Sequence, residues 1–279
     1  MSDDVVLLEG AFQAEQRTAC IGGGIFSAFT CPSPDKDTEN EDTVAGIPYG
    51  PQAAVLIVAD GAGGLPAGKR ASLVAVTTLV ESLHAAMEET MLLRTAILNG
   101  IEAANAAVQQ LGNGSATTCT VLTIEGLTVR AYQIGDSEAM VVGQRGVIRL
   151  QTTAHSPTGF AVEAGFLDER EALHHAERHL VSNFLGTSDM RIDIGAEVTL
   201  RPRDTILLAS DGLMDNVHVD EIIERIRKGP IDVAIARVVA LANRRMDGAS
   251  AGQPSKPDDL SLILFRKPYR LAATQPPQI

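Results

Sequence analysis

The sequence predicts an α+β protein, in which strand-forming and helix-forming segments are grouped rather than strictly alternating. Three observations carry that reading. A continuous apolar run from Ala53 to Asp60 is too short for a typical helix and stops at Gly61-Ala62-Gly63-Gly64. Two segments of helical period follow it directly. β-Branched segments then return between Thr117 and Leu150 as a meander of hairpins, which implies antiparallel pairing.

Taken in order, apolar stretches at Ile25 to Thr30 and Thr43 to Ile47 flank a polar, acidic loop from Pro32 to Asp42, as strands around a charged loop would. Ala53 to Asp60 reads as a buried strand with Asp60 as its last residue. From Gly68 the pattern turns helical. Leu73, Val76, Val80, Leu83 and Met87 recur at spacings of three and four, as do Ile97, Ile101, Ala104, Val108 and Leu111. The break at Leu111-Gly112-Asn113-Gly114-Ser115 stops the second helix. Strands are expected at Thr117 to Ile124, Thr128 to Ile134 and Ala139 to Leu150, the last folding back near Gln144-Arg145-Gly146. No single period holds between His155 and His179, where Ala161 to Gly165 and Asp168 to Ala176 are short helical candidates in a surface flap. Strands at Ile192 to Leu200 and Asp204 to Asp211 come next, then helices at Val219 to Lys228 and Ile231 to Met246. A Gly/Pro/Ser linker from Gly248 to Pro257 leads to a last strand at Leu260 to Arg266. The Pro/Gln-rich tail is expected to be disordered.

Composition excludes several functions. Net charge of −12 and a pI near 4.9 would repel nucleic acid and anionic membrane, and 4% aromatic content without Trp leaves little for base stacking. Cys20, Cys31 and Cys119 lack the paired spacings of a zinc site or a disulfide framework. The acidic N-terminus does not resemble a signal peptide, and no apolar run approaches the roughly 18 residues of a membrane span. The expectation is a monomeric, cytoplasmic protein.

The chemistry lies in the carboxylates. Asp60, Asp136 and Asp211 each end or directly follow a predicted strand, and Asp258 with Asp259 precede one. Strand ends of one sheet system can meet in space, and hard cations such as Mg²⁺ and Mn²⁺ take a few carboxylates and fill their shells with water. Alone, each aspartate beside a glycine reads first as a turn or cap residue. Their ordered neighbourhoods change that reading. Along the chain come Asn40-Glu41-Asp42, Asp60 to Gly64, Gly114-Ser115-Ala116-Thr117-Thr118, Gly135-Asp136-Ser137, Ser210-Asp211-Gly212-Leu213 and Asp258-Asp259. In that order they resemble the type 2C, metal-dependent serine/threonine protein phosphatases (PPM), in particular the compact bacterial members, over about residues 20 to 267. Val162-Glu163-Ala164-Gly165, Glu169 to Ala172 and Asn183-Phe184-Leu185-Gly186 resemble that family's flap and following strand.

The resemblance implies a four-layer αββα sandwich, two mainly antiparallel β-sheets flanked by helix pairs, with a metal site at one edge. It implies a single phosphatase catalytic domain over 1–270 with a flap near 155–180, and composition leaves 271–279 as the disordered tail. It also implies two ions, Mn²⁺ or Mg²⁺: Asp60 bridges them, the Gly61 carbonyl binds one, and Glu41, Asp211 and Asp258 complete the shells, with Asp42 holding water. A third ion would sit between Asp136 and Asp211. The implied activity is hydrolysis of phosphoserine and phosphothreonine in proteins. Two cations bridged by a carboxylate lower the pKa of bound water and offset phosphoryl charge during in-line attack, so Asp60 and Asp211 are the catalytic candidates. A Cys-x5-Arg nucleophile motif is lacking, as is an Asp-x-Asp pair beside Asp60.

This chain departs from the pattern in three places. The family's phosphate-binding arginine position holds Asp37, which leaves adjacent Lys36 as the candidate substrate cation, with Arg17 further upstream. Ala62 stands where many eukaryotic members carry a histidine, and Asp259 where the family has asparagine. The missing arginine motivates an alternative from another class, a non-catalytic phosphatase-like module that binds a partner or phosphoprotein. Retention of the acids favours the enzyme. Other motifs fail on their own terms. Pro66 occupies the third glycine position of a dinucleotide fingerprint, and the Asp35 to Gly46 stretch lacks the glycine and glutamate of an EF-hand. His174, His175 and His179 read as flap surface, and Lys69 with Arg70 as a solvated helix face with a secondary chance of touching substrate.

Overall fold

The computed structural model describes residues 5–268, apart from 11, 63–66 and 249. The N-terminal strands are β1 (Val6–Glu9), β2 (Glu15–Ile21), β3 (Gly24–Cys31), β4 (Thr43–Pro48), β5 (Ala53–Ala59) and the short β6 (Gly61–Ala62). The helix pair α1 (Ala67–Glu88) and α2 (Leu93–Leu111) precedes β7 (Ala116–Thr117), β8 (Cys119–Glu125), β9 (Thr128–Ile134), β10 (Glu138–Val142) and β11 (Ile148–Gln151). The flap holds α3 (Pro157–Glu163) and α4 (Glu169–Ala172), followed by β12 (Asp193–Ile194), β13 (Val198–Thr199) and β14 (Thr205–Ala209). The chain then forms α5 (Asp211–Met214), α6 (Val219–Ile226), α7 (Ile231–Met246) and β15 (Leu260–Arg266).

One sheet runs β1-β4-β5-β8-β9-β12, with β13 also on β9, and the other runs β11-β10-β14-β15-β3-β2. Every pairing between described strands is antiparallel. The pleat explains why the central strands read as unbroken apolar runs. On β5, Val55, Ile57 and Ala59 face the core shared with α1 and α2, whereas Ala54, Leu56 and Val58 enter the layer between the sheets. On β15 the same alternation sends Leu260, Leu262 and Leu264 toward α5–α7 and Ile263 and Phe265 inward. Three cores therefore separate four layers, which is the expected αββα order.

Four local readings need correction. β1 and β2 escape the apolar pattern because β2 is a sheet edge whose side chains are mostly exposed. The run expected from Thr117 divides at Thr118, where β7 leaves to pair with β6. The single strand expected at Ile192 to Leu200 is two short pieces on β9, with Gly195 between them donating to the Ala131 carbonyl at 2.9 Å. Helix α5, which starts at Asp211, was not anticipated. The tail at 271–279 lies outside the described residues.

Candidate metal centre

The acids converge because both sheets end at one edge of the sandwich. Glu41 and Asp42 precede β4, Asp60 follows β5 and Asp136 follows β9, all in the first sheet. Asp211 follows β14 and Asp258 precedes β15, both in the second. Since Thr43 pairs with Ala59, Asp42 and Asp60 leave neighbouring strands side by side.

Backbone contacts then fix each acid. The Thr118 hydroxyl accepts the Asp60 N–H at 2.9 Å, and the Asp60 carbonyl accepts the Thr118 N–H and the Thr117 hydroxyl, both at 2.8 Å. Thr118 and Ser137 hydroxyls lie 2.8 Å apart, which ties this clamp to the residue after Asp136. Thus the small-residue segment ending at Thr117-Thr118 serves to hold Asp60. Gly212 permits a second close approach, because a Cβ there would overlap the Asp259 carbonyl oxygen. Gly68 permits a third: its Cβ would lie 2.5 Å from the Gly61 carbonyl oxygen and 2.6 Å from Glu41 Oε1, so those two oxygens flank one small space.

Charge crowding is severe. Burial, then repulsion from Asp42, Asp211, Asp258 and Asp136, pushes the Asp60 carboxyl well above the ordinary carboxylate range. Asp42 is raised in the same direction by burial and then by Asp259, and Asp136 by burial and then by Asp211 and Asp215. For Asp258, burial and Asp211 lift the value to about 7. Three buried carboxylate oxygens, Glu41 Oε1, Asp42 Oδ1 and Asp211 Oδ1, have no hydrogen-bond partner. Unpaired anionic oxygens in a dry site are costly unless a cation joins them, and oxygen donors suit a hard divalent ion. The donor set therefore fits such an ion. Among the described residues no three acid, histidine or cysteine side chains close a shell by themselves, so the Gly61 carbonyl and water would complete it.

Two lysines already stand among these acids. Lys36 donates to Glu41 Oε2 at 2.6 Å and to Asp259 Oδ2 at 2.8 Å. Burial opposes its charge, yet the hydrogen bonds to Asp259 and Glu41 lift its pKa to about 12. Lys36 is thus engaged with Glu41 and Asp259, beside the acids, where the sequence expects a cation for substrate. Asp259 also accepts the Ser33 N–H at 2.8 Å and the Glu41 N–H at 2.7 Å. With three donors pointing at it, a carboxylate suits this position better than the amide the pattern anticipates. The other lysine, Lys256, bonds Asp211, Asp215 and Asp258. Sequence reading missed Gly68, Lys256, Asp259's clamp and Asp215; for Asp215 the signal was its place in the Asp211-Gly-Leu-Met-Asp215 run.

Beside the acids, a cavity of about 570 Å³ opens between the flap and α5–α6, with Asp136, Asp211, Asp215, Arg170 and Arg178 in its wall. Asp37 is exposed, and Lys69 pairs with Glu39 at 2.7 Å. His174 and His179 are exposed, as the surface reading expects. Cys31 and Cys119 are buried, and burial pushes both thiols up to about 12, far from thiolate chemistry. No described helix is long and apolar enough to cross a membrane.

Comparison with known proteins bears on the family and the fold. A protein of Streptococcus pyogenes serotype M6, named for the phosphatase 2C type, is 32% identical over 153 residues, covering 52% of this chain and 61% of that protein. The chain thus spans less than two thirds of the length of this relative. Among solved structures, the serine/threonine phosphatase Stp1 from Staphylococcus aureus aligns with a TM-score of 0.71 at 26% identity, covering 93% of this chain and 97% of that one. The catalytic domain of the phosphatase PstP, in complex with 2 manganese ions, shares the fold with a TM-score of 0.67 at 22% identity, over 94% and 99% of the two chains. The family model described as protein phosphatase 2C matches residues 35–236, well over half of the 279 residues and most of the acids described above, and the chain belongs to that family.

Proposed function

We propose that this chain hydrolyses phosphoserine and phosphothreonine esters in proteins with the help of two divalent cations, Mn²⁺ or Mg²⁺, and that residues 1–270 act as one catalytic unit with a flap near 155–180. The observation that carries the proposal is Asp60. Its carboxyl is crowded by the charges of Asp42, Asp136, Asp211 and Asp258, a repulsion that divalent cations held among these acids would relieve. Glu41 Oε1, the Gly61 carbonyl, Asp211 Oδ1 and Asp258 would supply the remaining protein oxygens. Bound there, two cations would lower the pKa of water and offset the negative charge of the phosphoryl group.

The chain's own residues do the rest. Asp42, with one buried oxygen free and the other accepting from Ser210 at 3.0 Å, orients water at the site. Thr117 and Thr118 keep Asp60 in register. The flap cavity offers a path for a phosphorylated side chain, and Arg178, whose charge is felt at Asp215, stands where a phosphate would enter. Retention of every acid speaks against a module that only binds phosphoproteins.

The test is hydrolysis of an aryl phosphate, then of phosphoserine and phosphothreonine peptides, with Mn²⁺ or Mg²⁺ and with chelator. Turnover should require the ion and disappear in Asp211→Asn. A folded native chain inert with both ions would leave the binding module as the better account.

A further inference from the structure

Lys256 is unusually well fixed for a residue in a linker. Buried Asn216 accepts the Lys256 N–H on Oδ1 at 2.7 Å and donates to the Lys256 carbonyl at 2.8 Å, while also donating to the Gly212 carbonyl at 2.9 Å. The backbone is thereby locked to the turn that carries Asp211. At the other end of the side chain, Nζ bonds Asp211 Oδ2, Asp215 Oδ2 at 2.8 Å and Asp258 Oδ2 at 3.2 Å. An ammonium has three protons, and three carboxylates take them. Asp136 feels the same charge, which counters its repulsion from Asp211 and Asp215.

Of the two acids between which a third cation is expected, Asp211 is bonded directly by Lys256 and Asp136 lies near enough to feel its charge, while Asp215, bonded by the same ammonium, repels both. A divalent ion between Asp136 and Asp211 would compete with the ammonium for Asp211 Oδ2 and be repelled by its charge, whereas Asp211 Oδ1, without a hydrogen-bond partner, stays open to the two-ion centre. Lys36 does not compete for this place, because it lies against Glu41 and Asp259 instead. We propose that the Lys256 ammonium is a built-in substitute for the third ion, so that the chain binds two divalent cations and supplies a third cationic group, of single charge, covalently.

This inference rests on the proposed two-ion centre, and ion counting separates the two. Mn²⁺ bound per chain at saturation is measured by equilibrium dialysis and elemental analysis, with the paramagnetic resonance spectrum as a second readout. Native protein and Lys256→Arg should each hold two ions, and Lys256→Met one more. Melting in chelator should also fall in Lys256→Met, because Asp211, Asp215 and Asp258 lose their counter-charge. If that variant folds only with Mn²⁺, it is prepared in the ion and counted by dialysis. Three ions in the native chain, or no gain in Lys256→Met, would overturn the substitution and leave the two-ion centre intact. A native chain that binds none would sink both.

Discussion

Ser210 donates its hydroxyl to Asp42 at 3.0 Å, although 168 residues separate them. The same oxygen accepts the Ser261 N–H at 3.0 Å, so one small side chain joins the loop before β4 to the β14–β15 pair. Ser210→Ala would take from Asp42 Oδ2 the hydroxyl it accepts and orphan a buried amide. The expected cost is about 2 kcal/mol, several degrees in Tm, with weaker ion binding. Chemical denaturation in chelator checks it; an unchanged midpoint would mean that water replaces the hydroxyl without loss.

Gly68→Ala separates propensity from geometry. In a helix, alanine is favoured over glycine by about 1 kcal/mol, so helicity alone predicts a more stable protein. The added Cβ, however, meets the Gly61 carbonyl and Glu41 Oε1. Mn²⁺ affinity measured calorimetrically should drop about tenfold, or ~1.4 kcal/mol, whatever the change in melting. Undiminished affinity would remove the Gly61 carbonyl from the site.

Asp60→Asn should stabilise the ion-free protein while destroying its function. Asp60, Asp42 and Asp136 have carboxyls raised in the fold, so each binds its proton more tightly folded than unfolded. In chelator, stability is therefore fullest below the ordinary value of 3.8 and declines as pH rises through the raised values, with Asp258 titrating near 7. Removing one charge should flatten that decline. A variant that melts below the native chain in chelator at pH 7 would contradict the crowding described for Asp60.

His155 should give the opposite slope. Its Nδ1 accepts the Gly135 N–H at 3.3 Å and lies 2.9 Å from Asn183 Nδ2, which requires a neutral ring, and burial lowers its pKa. A depressed value stabilises the fold above the ordinary 6.5 and loses that contribution as pH falls below it. The stability gap between native protein and His155→Gln should be widest above pH 6.5 and narrow on acidification. A constant gap across that range would show that the ring is not held neutral.

How much of this was legible in the sequence follows from distance along the chain. Runs buried on both faces, such as Ala53–Ala59 and Leu260–Arg266, announce themselves because every position is apolar. The exposed edge strand Glu15–Ile21 carries no such signal. The acids could be read through their local motifs, yet what holds them could not. Thr118 reaches Asp60 across 58 residues, Lys256 reaches Asp211 across 45, and Lys36 reaches Asp259 across 223. The contacts of Lys36 with Glu41 and Asp259 in particular could not be read, because nothing beside it in sequence names these partners.

Since Asp60 and Asp136 hang from one sheet and Asp211 and Asp258 from the other, an ion at this edge is also a fastener. The width it must span is set by the side chains packed between the sheets, among them Phe26, Val58, Leu208 and Phe265. Ion preference would then depend on the protein's interior. A substitution such as Phe265→Leu, remote from every ligand, would change the grip on the metal by altering the gauge between the two sheets.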